Sequence, residues 1–519
     1  MPEKVLLGAE PLTAAQVVDV VRGHAPVGLG DAAEKNLAAT RQHIENLAHA
    51  VTPTYGVSTG FGALATRHIP VESRTALQRS LIRSHAAGAG PAVEAEVVRA
   101  LMLLRLRTLA SGYTGVRPGT AQTLAALLNA DITPIVHEYG SLGCSGDLAP
   151  LAAVALALMG EGEVTYRGEV IEAAEALKHA GIEPVVLAEK EGLALTNGTD
   201  GMLGMLLLAA ADLHQLFDVA DLTAAMSVEA LLGTDRAFAA DLQALRPHPG
   251  QARSAARMWQ ALQGSKIVES HRGPDCNRVQ DAYSLRCAPQ VHGAARDSLA
   301  HAELVGEREL MSAVDNPVVL ADGRVESNGN FHGAPVAYVL DFLAIPIADV
   351  ASIAERRTDR MLDKARSHGL PPFLAHDPGV DSGHMIAQYT QAAVVSELKR
   401  LAVPASVDSI PSSAMQEDHV SMGWSAARKL RKAVDGLTTV LAVELLTAAR
   451  ALDFRAPLEP SPVTGAVRDL LRTKVPGPGP DRHLAPEIAA AEELVRSGAV
   501  LDAARLEGRG GGERVVKKF

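Results

Sequence analysis

The sequence predicts a mainly α-helical protein, an elongated helical bundle with a smaller N-terminal domain. The chain has 519 residues, which is more than a single hydrophobic core usually contains. Long runs with helical periodicity dominate its second half, and strand signals are sparse. Apolar residues make up 47% of the chain and charged residues 21%, so the composition is that of a folded globular protein rather than a disordered one.

In the N-terminal part of the chain, loops interrupt the regular patterns more often than in the rest. Gly-rich loops interrupt it at 56–62, 86–90 and 140–146. One short β-hairpin is predicted over 162–171, with Arg167 and Gly168 at its turn. We therefore expect an N-terminal domain over 1–200, and a second domain over 201–519 with the central long-helix bundle and the C-terminal region.

Long helical patterns fill the second part of the chain. They cover 202–232, 333–365, 382–403 and 422–453. The first is apolar on nearly every face, as expected of a helix buried inside a bundle. A helix of roughly 30 residues is ~45 Å long, which exceeds one small domain and favours association of several subunits. A Pro- and Gly-rich linker over 474–480 precedes a last predicted helix, about 485–506.

Charge and cysteine content exclude several classes of protein. The net charge of −11 argues against a nucleic-acid-binding protein, which needs a basic face. Three cysteines predict no disulfide framework and a reducing compartment. The N-terminus lacks the pattern of a signal peptide, and the most apolar run, 201–211, is too short to span a bilayer. We expect a cytoplasmic protein that binds neither nucleic acid nor a membrane.

The segment 143–150, Gly-Cys-Ser-Gly-Asp-Leu-Ala-Pro, can react with its own backbone. The amide nitrogen of Gly146 can attack the carbonyl carbon of Cys144, because glycine lets the chain fold back with no Cβ in the way. Loss of one water closes a five-membered ring, and loss of a second water from Ser145 leaves an exocyclic methylidene, an electrophile. Alone, the segment is equally well explained as a helix start with Ser145 or Asp147 as its N-cap.

Two further segments carry residues suited to bind or deprotonate a small molecule. Tyr55 lies among closely spaced glycines, which alone favours an ordinary surface turn. Tyr283 and Arg286 are three residues apart, so on a helix they would share a face. Arginine suits a carboxylate, which it binds through two parallel hydrogen bonds. A nucleophile elbow at Ser145 is disfavoured, because Asp147 stands where that motif requires glycine.

The remaining polar segments have structural explanations when taken singly. Asn197 precedes the long apolar helix and could belong to its N-cap, and His85 among small residues could be a structural histidine. Glu417 lies in a run of four polar residues, 416–419, between two predicted apolar helices. No other histidine lies four residues from this polar run, as a pair of metal ligands on a helix would. The cysteines also lack the spacing of metal ligands, so we expect no metal.

Taken together, eight segments resemble the aromatic amino acid ammonia-lyases, and among them the histidases most closely. The segments are 55–62, 84–88, 143–150, 191–199, 279–287, 315–317, 329–333 and 416–422. They occur in the order found in the family and span most of the chain. The resemblance implies a fold of the aspartase/fumarase-like superfamily and a homotetramer in which three subunits build each active site.

The resemblance also implies a prosthetic group and the residues around it. Cys144, Ser145 and Gly146 would form 4-methylidene-imidazol-5-one (MIO), with no external cofactor. Tyr55 matches the base that removes the β-proton, and Tyr283 matches a second active-site tyrosine. The other matches are Arg286 for the substrate carboxylate, Asn197 and Gln280 around the prosthetic group, Phe331 in the pocket wall, and His85 and Glu417 facing the substrate imidazole.

These matches imply non-oxidative deamination of L-histidine to trans-urocanate and ammonia, the first step of histidine degradation. A buried Glu417 facing a phenyl ring would be unpaired, at a cost on the order of 1–3 kcal/mol, which favours histidine over phenylalanine. The chain departs from the family pattern at Cys144, where alanine is commonest, and at Ser58, Met311 and Met415. The alternatives are an aromatic amino acid 2,3-aminomutase or a tyrosine ammonia-lyase of the same family, or a non-catalytic helical scaffold.

Overall fold

The protein is described by a computed structural model over residues 2–8, 10–48, 56–60, 67–273, 276 and 278–505. Most of these residues lie in helices, and the strands among them are short. The predicted mainly α-helical class is therefore confirmed.

The chain folds into two compact units, each built from segments distant in sequence. Unit 1 comprises Met1–Ala209, Ala302–Asp341 and Pro404–Arg428, and unit 2 comprises Ala210–His301, Phe342–Val403 and Lys429–Phe519. This division differs from the predicted domains 1–200 and 201–519, because two later segments belong to unit 1. Most of the boundaries fall inside long helices rather than in linkers. Composition along the chain therefore carries no signal for them.

The first 200 residues form short helices and short paired strands. The helices are α1 (Ala14–Val21), α2 (Asp31–Ala48), α3 (Arg74–His85), α4 (Ala95–Ala110), α5 (Pro118–Asn129), α6 (Leu148–Leu158), α7 (Ala173–Ala180) and α8 (Glu191–Ala194). The strands are β1 (Val5–Leu7), β2 (Val27–Leu29), β3 (Ala89–Ala92), β4 (Thr133–Pro134), β5 (His137–Tyr139), β6 (Glu163–Tyr166) and β7 (Glu169–Glu172). Strands β1 and β2 are parallel, whereas β3 pairs with β5, and β4 with β6, in antiparallel fashion.

The predicted β-hairpin is confirmed as the antiparallel pair β6 and β7. Tyr166 pairs with Glu169, so Arg167 and Gly168 form a two-residue turn. Both turn residues have positive φ, 53° and 85°. This backbone is that of the tight turns whose twist matches a hairpin, and it explains the glycine at the second position.

Long helices dominate the rest of the chain. The helices are α9 (Asp200–Ala230), α10 (Ala240–Ala244), α11 (Pro249–Leu262), α12 (Lys266–Glu269), α13 (Tyr283–Arg286), α14 (Ala288–Leu310), α15 (Ala334–Leu362), α16 (Met385–Leu401), α17 (Gly423–Asp453), α18 (Pro462–Arg472), α19 (Ala485–Arg496) and α20 (Ala499–Ala504). Strands β8 (Val318–Val319) and β9 (Val325–Glu326) pair between α14 and α15. Short 3-10 helices lie at Val71–Ser73, Arg236–Phe238, Pro372–Leu374 and Ser413–Met415.

The four predicted long helices are confirmed as α9, α15, α16 and α17, with ends shifted by up to a few residues. The prediction of one continuous helix over 485–506 is wrong. Gly498 interrupts it with a left-handed backbone, φ 78°, and separates α19 from α20. The glycine supplies this conformation without the steric cost that a Cβ would add.

Helix α9 is buried on nearly every face, as predicted. All of its residues are buried except Ala211, Asp212, His214 and Gln215, which are half-buried. Helices α9 and α15 are long and apolar enough to cross a membrane by length and composition. The apolar part of α9 is therefore longer than the run 201–211 identified in the sequence. Most of the apolar window of each helix is buried within the protein, which is typical of core helices.

Unit 2 contains a buried network of charges. Asp221 contacts His292 at 2.8 Å and Arg296 at 2.6 Å, and Arg257 lies 3.7 Å away. Burial opposes ionisation of Asp221, but the neighbouring cations outweigh it and hold the pKa of this carboxyl below its usual range. The network therefore pairs the buried carboxylate of Asp221 with basic side chains of neighbouring helices.

Candidate active site

Residues 143–147 lie in a tight loop between β5 and α6 in unit 1, and residues 148–150 begin α6. Gly143 and Gly146 have positive φ, 66° and 80°. A Cβ on Gly146 would overlap the carbonyl group of Gly198, with which Gly146 forms an isolated β-bridge. Only glycine fits at this position, as the cyclisation hypothesis requires.

Asp147 ties this loop to the start of α9. Its backbone N–H donates to the carbonyl oxygen of Gly198 at 2.7 Å. Its carboxylate accepts from the N–H groups of Gly201 and Met202 at 2.9 and 3.0 Å, and from the Ser141 hydroxyl at 2.9 Å. Asp147 stands at the N-cap position of α6, as expected, but its side chain makes no capping bond to that helix and binds the start of α9 instead. Burial raises the pKa of Asp147 to about 7.

The carboxylate of Glu417 lies directly beside the reactive segment. The Cys144 thiol donates to its Oε2 at 3.0 Å, and the Ser145 hydroxyl donates to its Oε1 at 3.5 Å. The Ser412 hydroxyl also donates to Oε2, at 3.2 Å. Backbone hydrogen bonds in both directions between Ser412 and Glu417 close the loop that presents this carboxylate.

A cavity of about 530 Å³ opens over these groups. Its lining consists of polar side chains and one phenyl ring: Cys144, Ser145, Asn316, Ser327, Phe331, His332, Gln416, Glu417, Asp418 and His419. The structure thus brings together Cys144, Ser145, Phe331 and Glu417 from the predicted set. A cavity of this size suits a small polar molecule.

Sequence reasoning gave no role to His332 and His419, although both lie in segments quoted for the resemblance. Their rings stack at 5.6 Å between centroids, with 6° between the ring planes. Both line the cavity. Their positions in these segments were the available signal, but only the fold shows that the two imidazoles meet.

His85 and Asn197 lie close to this group of residues. His85 ends α3 and is half-buried, with its Nδ1 3.2 Å from the Ser84 hydroxyl. Burial lowers the pKa of His85, and the nearby charge of Glu417 opposes this effect. The amide of Asn197 donates to the backbone carbonyl oxygen of Asn316, which lines the cavity, at 2.9 Å.

Three predicted site residues belong to unit 2. Tyr283 and Arg286 share one face of α13, as predicted, with the guanidinium 4.7 Å from the centre of the phenol ring. Arg286 also donates from Nε to the backbone carbonyl oxygen of Asp281 at 2.8 Å. Gln280 is exposed, and Tyr283 is 72% exposed.

Tyr55, the predicted base, lies outside the described residues. Among the residues that the structure describes, no group of three or more His, Cys, Asp or Glu side chains could hold a metal ion. Two of the departures from the family pattern, Met311 and Met415, are exposed and do not line the cavity.

Comparison with known proteins matches this arrangement to one enzyme family. The family model described as aromatic amino acid lyase matches residues 12–473. Histidine ammonia-lyases of Streptomyces avermitilis and Streptomyces coelicolor are each 66% identical over 502 residues, which is 96% of this chain and 98% of the relative. The chain belongs to the aromatic amino acid lyase family. The resemblance found in the sequence is confirmed.

Solved structures of aromatic amino acid lyases and aminomutases share the fold. A tyrosine aminomutase from Streptomyces globisporus has a TM-score of 0.91 and 38% identity, covering 97% of this chain and 98% of its own. Histidine ammonia-lyase from Trypanosoma cruzi has a TM-score of 0.88 and 37% identity, covering 96% of this chain and 95% of its own. Fold similarity therefore spans lyases and aminomutases, and the choice between these reactions must come from the site.

The residues of this chain fit the prosthetic group that the resemblance implies. Gly146 occupies a space in which no side chain could be placed. Asp147 and Gly198 hold the C-terminal side of the triad, and the Ser145 hydroxyl faces the cavity and Glu417. The triad is therefore held in a bent backbone with its hydroxyl accessible.

Proposed function

We propose that the protein catalyses non-oxidative deamination of L-histidine to trans-urocanate and ammonia, the first step of histidine degradation. The observation that carries this proposal is the carboxylate of Glu417, 3.0 Å from the Cys144 thiol and 3.5 Å from the Ser145 hydroxyl. It puts an acceptor for an imidazole N–H beside the residues that would supply the electrophile. The high identity to histidine ammonia-lyases over nearly the full chain supports the same substrate.

The triad Cys144, Ser145 and Gly146 would hold MIO as part of the chain. When formed, this group supplies the electrophile that makes the substrate amine a better leaving group. The role of the surrounding protein is to keep the triad bent and to exclude other orientations. Asp147 serves this role through its bonds to the start of α9.

Glu417 and His85 would recognise the imidazole ring of the substrate. A phenyl or phenol ring offers no N–H to Glu417, so the half-buried carboxylate would lose a partner, at a cost on the order of 1–3 kcal/mol. Burial lowers the pKa of His85, which favours its neutral form, able to donate from one ring nitrogen and accept at the other. Asn197 and Phe331 would complete the surroundings of the reacting groups.

Binding of the substrate carboxylate and removal of the β-proton require residues that do not line this cavity. We assign the carboxylate to Arg286, the proton abstraction to Tyr55, and assistance at the amine to Tyr283 and Gln280. The exposure of Tyr283 supports a site completed by neighbouring subunits. We propose a cytoplasmic homotetramer in which three subunits build each site, which light scattering of the purified protein would test.

The test is incubation of the purified protein with L-histidine, L-tyrosine and L-phenylalanine in separate reactions. We expect ammonia and a conjugated acid, trans-urocanate, from histidine alone. A β-amino acid product would establish an aminomutase, and a conjugated acid from tyrosine alone would establish a tyrosine ammonia-lyase. The absence of reaction with all three amino acids would favour a non-catalytic scaffold.

A further inference from the structure

We propose that the Cys144 thiol is a positioning group that orients Glu417 for imidazole recognition. The first residue of the triad would then contribute to selectivity for histidine, in addition to its place in the backbone ring. This inference rests on the proposed function.

The two oxygens of the Glu417 carboxylate have different surroundings. Oε2 accepts from the Cys144 thiol at 3.0 Å and from the Ser412 hydroxyl at 3.2 Å. Oε1 accepts only a long contact from the Ser145 hydroxyl, at 3.5 Å, among the bonds that the structure describes. Two donors on one oxygen fix the rotation of the carboxylate and leave the other oxygen as the weakly bound acceptor.

Maturation of the triad would accentuate this asymmetry. Ring closure joins the nitrogen of Gly146 to the carbonyl carbon of Cys144, so the Cβ–Sγ bond stays outside the ring. The hydroxyl of Ser145 leaves as water, and its contact with Oε1 goes with it. After the two waters are lost, Oε2 keeps its hydrogen bonds from Cys144 and Ser412. Oε1 is then free to accept a hydrogen bond from a substrate N–H.

The thiol is suited to act as a constant donor. Cys144 is only 5% exposed. Burial and the adjacent Glu417 raise the pKa of its thiol to about 12, so the S–H proton is retained throughout the neutral range. A retained proton gives one hydrogen bond to a charged acceptor, which is stronger than the bond that the same thiol would make to a neutral acceptor.

The test compares Cys144→Ala, Cys144→Ser and a control, Cys276→Ala, whose thiol lies outside this cavity lining. Because alanine is common at the first triad position in the family, Cys144→Ala should fold and cyclise, which an intact mass lower by two waters would verify. For each protein, kcat and KM for L-histidine are measured.

We expect Cys144→Ala to raise KM for L-histidine about tenfold, equivalent to about 1.4 kcal/mol, the size expected for a hydrogen bond to a charged group. The kcat should change much less, because the reacting atoms are untouched. Cys144→Ser keeps a donor and should restore KM to near the wild-type value, and Cys276→Ala should match the wild type.

Two results would overturn the inference while leaving the proposed function intact. One is a wild-type KM in Cys144→Ala, and the other is equal impairment in Cys144→Ser and Cys144→Ala, which would assign the effect to side-chain volume. A wild-type protein that does not consume histidine would instead refute the proposed function, before any variant is compared.

Discussion

Asp147 in unit 1 and Asp221 in unit 2 are both fully buried, yet their surroundings shift their pKa values in opposite directions. Asp147 is bound by two backbone amides and one hydroxyl, so burial dominates and raises its pKa to about 7. Asp221 is buried equally deeply, but two arginines and a histidine hold its pKa below the usual range. The neutral donors around Asp147 stabilise its charge less than burial destabilises it, whereas the cations around Asp221 outweigh the same burial.

The different partners of these two carboxyl groups match the different roles of the two regions. In unit 2 the buried charges connect helices and neutralise one another, so the network is structural. In unit 1 the carboxylate of Asp147 fixes a loop whose neighbour, Ser145, faces a cavity. A strong cation beside Glu417 would pair with its carboxylate and compete with a substrate N–H for it. We therefore expect changes at Ser145 to affect activity, and changes at Asp147 and in the network to affect stability.

The largest expected effect is on activity, in Ser145→Ala. This variant lacks the hydroxyl that must leave as the second water, so turnover of L-histidine should fall below detection. Its thermal unfolding midpoint should stay within about 2 °C of the wild type, because the bonds by which Asp147 holds this loop do not involve the Ser145 side chain. Turnover that persists in Ser145→Ala would exclude the electrophile mechanism.

The second effect is on stability, in Arg296→Met. Arg296 is 6% exposed in its side chain and contacts Asp218 at 2.8 Å and Asp221 at 2.6 Å. Its removal leaves buried carboxylates undercompensated, and the free energy of unfolding should fall by about 3 kcal/mol or more in urea titrations.

Arg253→Met is the matched control for that change. Arg253 contacts the same Asp218 at 3.4 Å, but its side chain is 38% exposed. The loss should stay below about 1 kcal/mol, because solvent screens an exposed pair. Equal losses in the two variants would contradict the assignment of the network to buried-charge compensation.

The third effect is a difference in the free energy of unfolding between two variants, Asp147→Ala and Asp147→Asn. Asp147→Ala leaves the amides of Gly201 and Met202 without this acceptor and should reduce the free energy of unfolding by about 2 kcal/mol. Asp147→Asn keeps an oxygen for the amides of Gly201 and Met202 and should lose much less. If the two variants are equally destabilised, the carboxylate contributes more than hydrogen-bond acceptance.

A further effect is on the pH dependence of stability, to which Asp147 contributes. Its pKa in the folded protein is raised to about 7, above the value near 4 of an unfolded chain. The folded state therefore binds the proton more tightly, and the contribution is complete below about pH 4 and is lost as the pH rises through 7. The stability of wild type relative to Asp147→Asn should thus decline between about pH 4 and about pH 7. Parallel pH curves would show that Asp147 does not titrate in this range.

Much of the helical architecture could be predicted, because its causes are local. The apolar run of α9 and the turn residues Arg167 and Gly168 act over a few neighbours, and the structure confirms both predictions. The division into units could not be predicted, since its boundaries fall within helices and depend on contacts between distant segments. The break at Gly498 had a local signal, the glycine itself, that the helical pattern around it concealed.

The candidate site was only partly predictable for a related reason. Segment similarity indicated Ser145 and Glu417, and the structure puts them on one cavity. Similarity gave no role to the stacked rings of His332 and His419, because their contact joins two segments that are far apart in the chain. In the sequence Cys144 was only a departure from the family pattern, and no single segment could reveal the contact of its thiol with Glu417.

The most direct test of the central claim is the intact mass of the purified wild-type protein, followed by mass analysis of the peptide that contains residues 143–150. The account predicts a chain lighter than its sequence mass by two waters, with the whole loss located at Cys144, Ser145 and Gly146. Ser145→Ala cannot lose the second water and serves as the internal control. A wild-type chain with the full sequence mass would contradict the claim that this loop forms the catalytic electrophile.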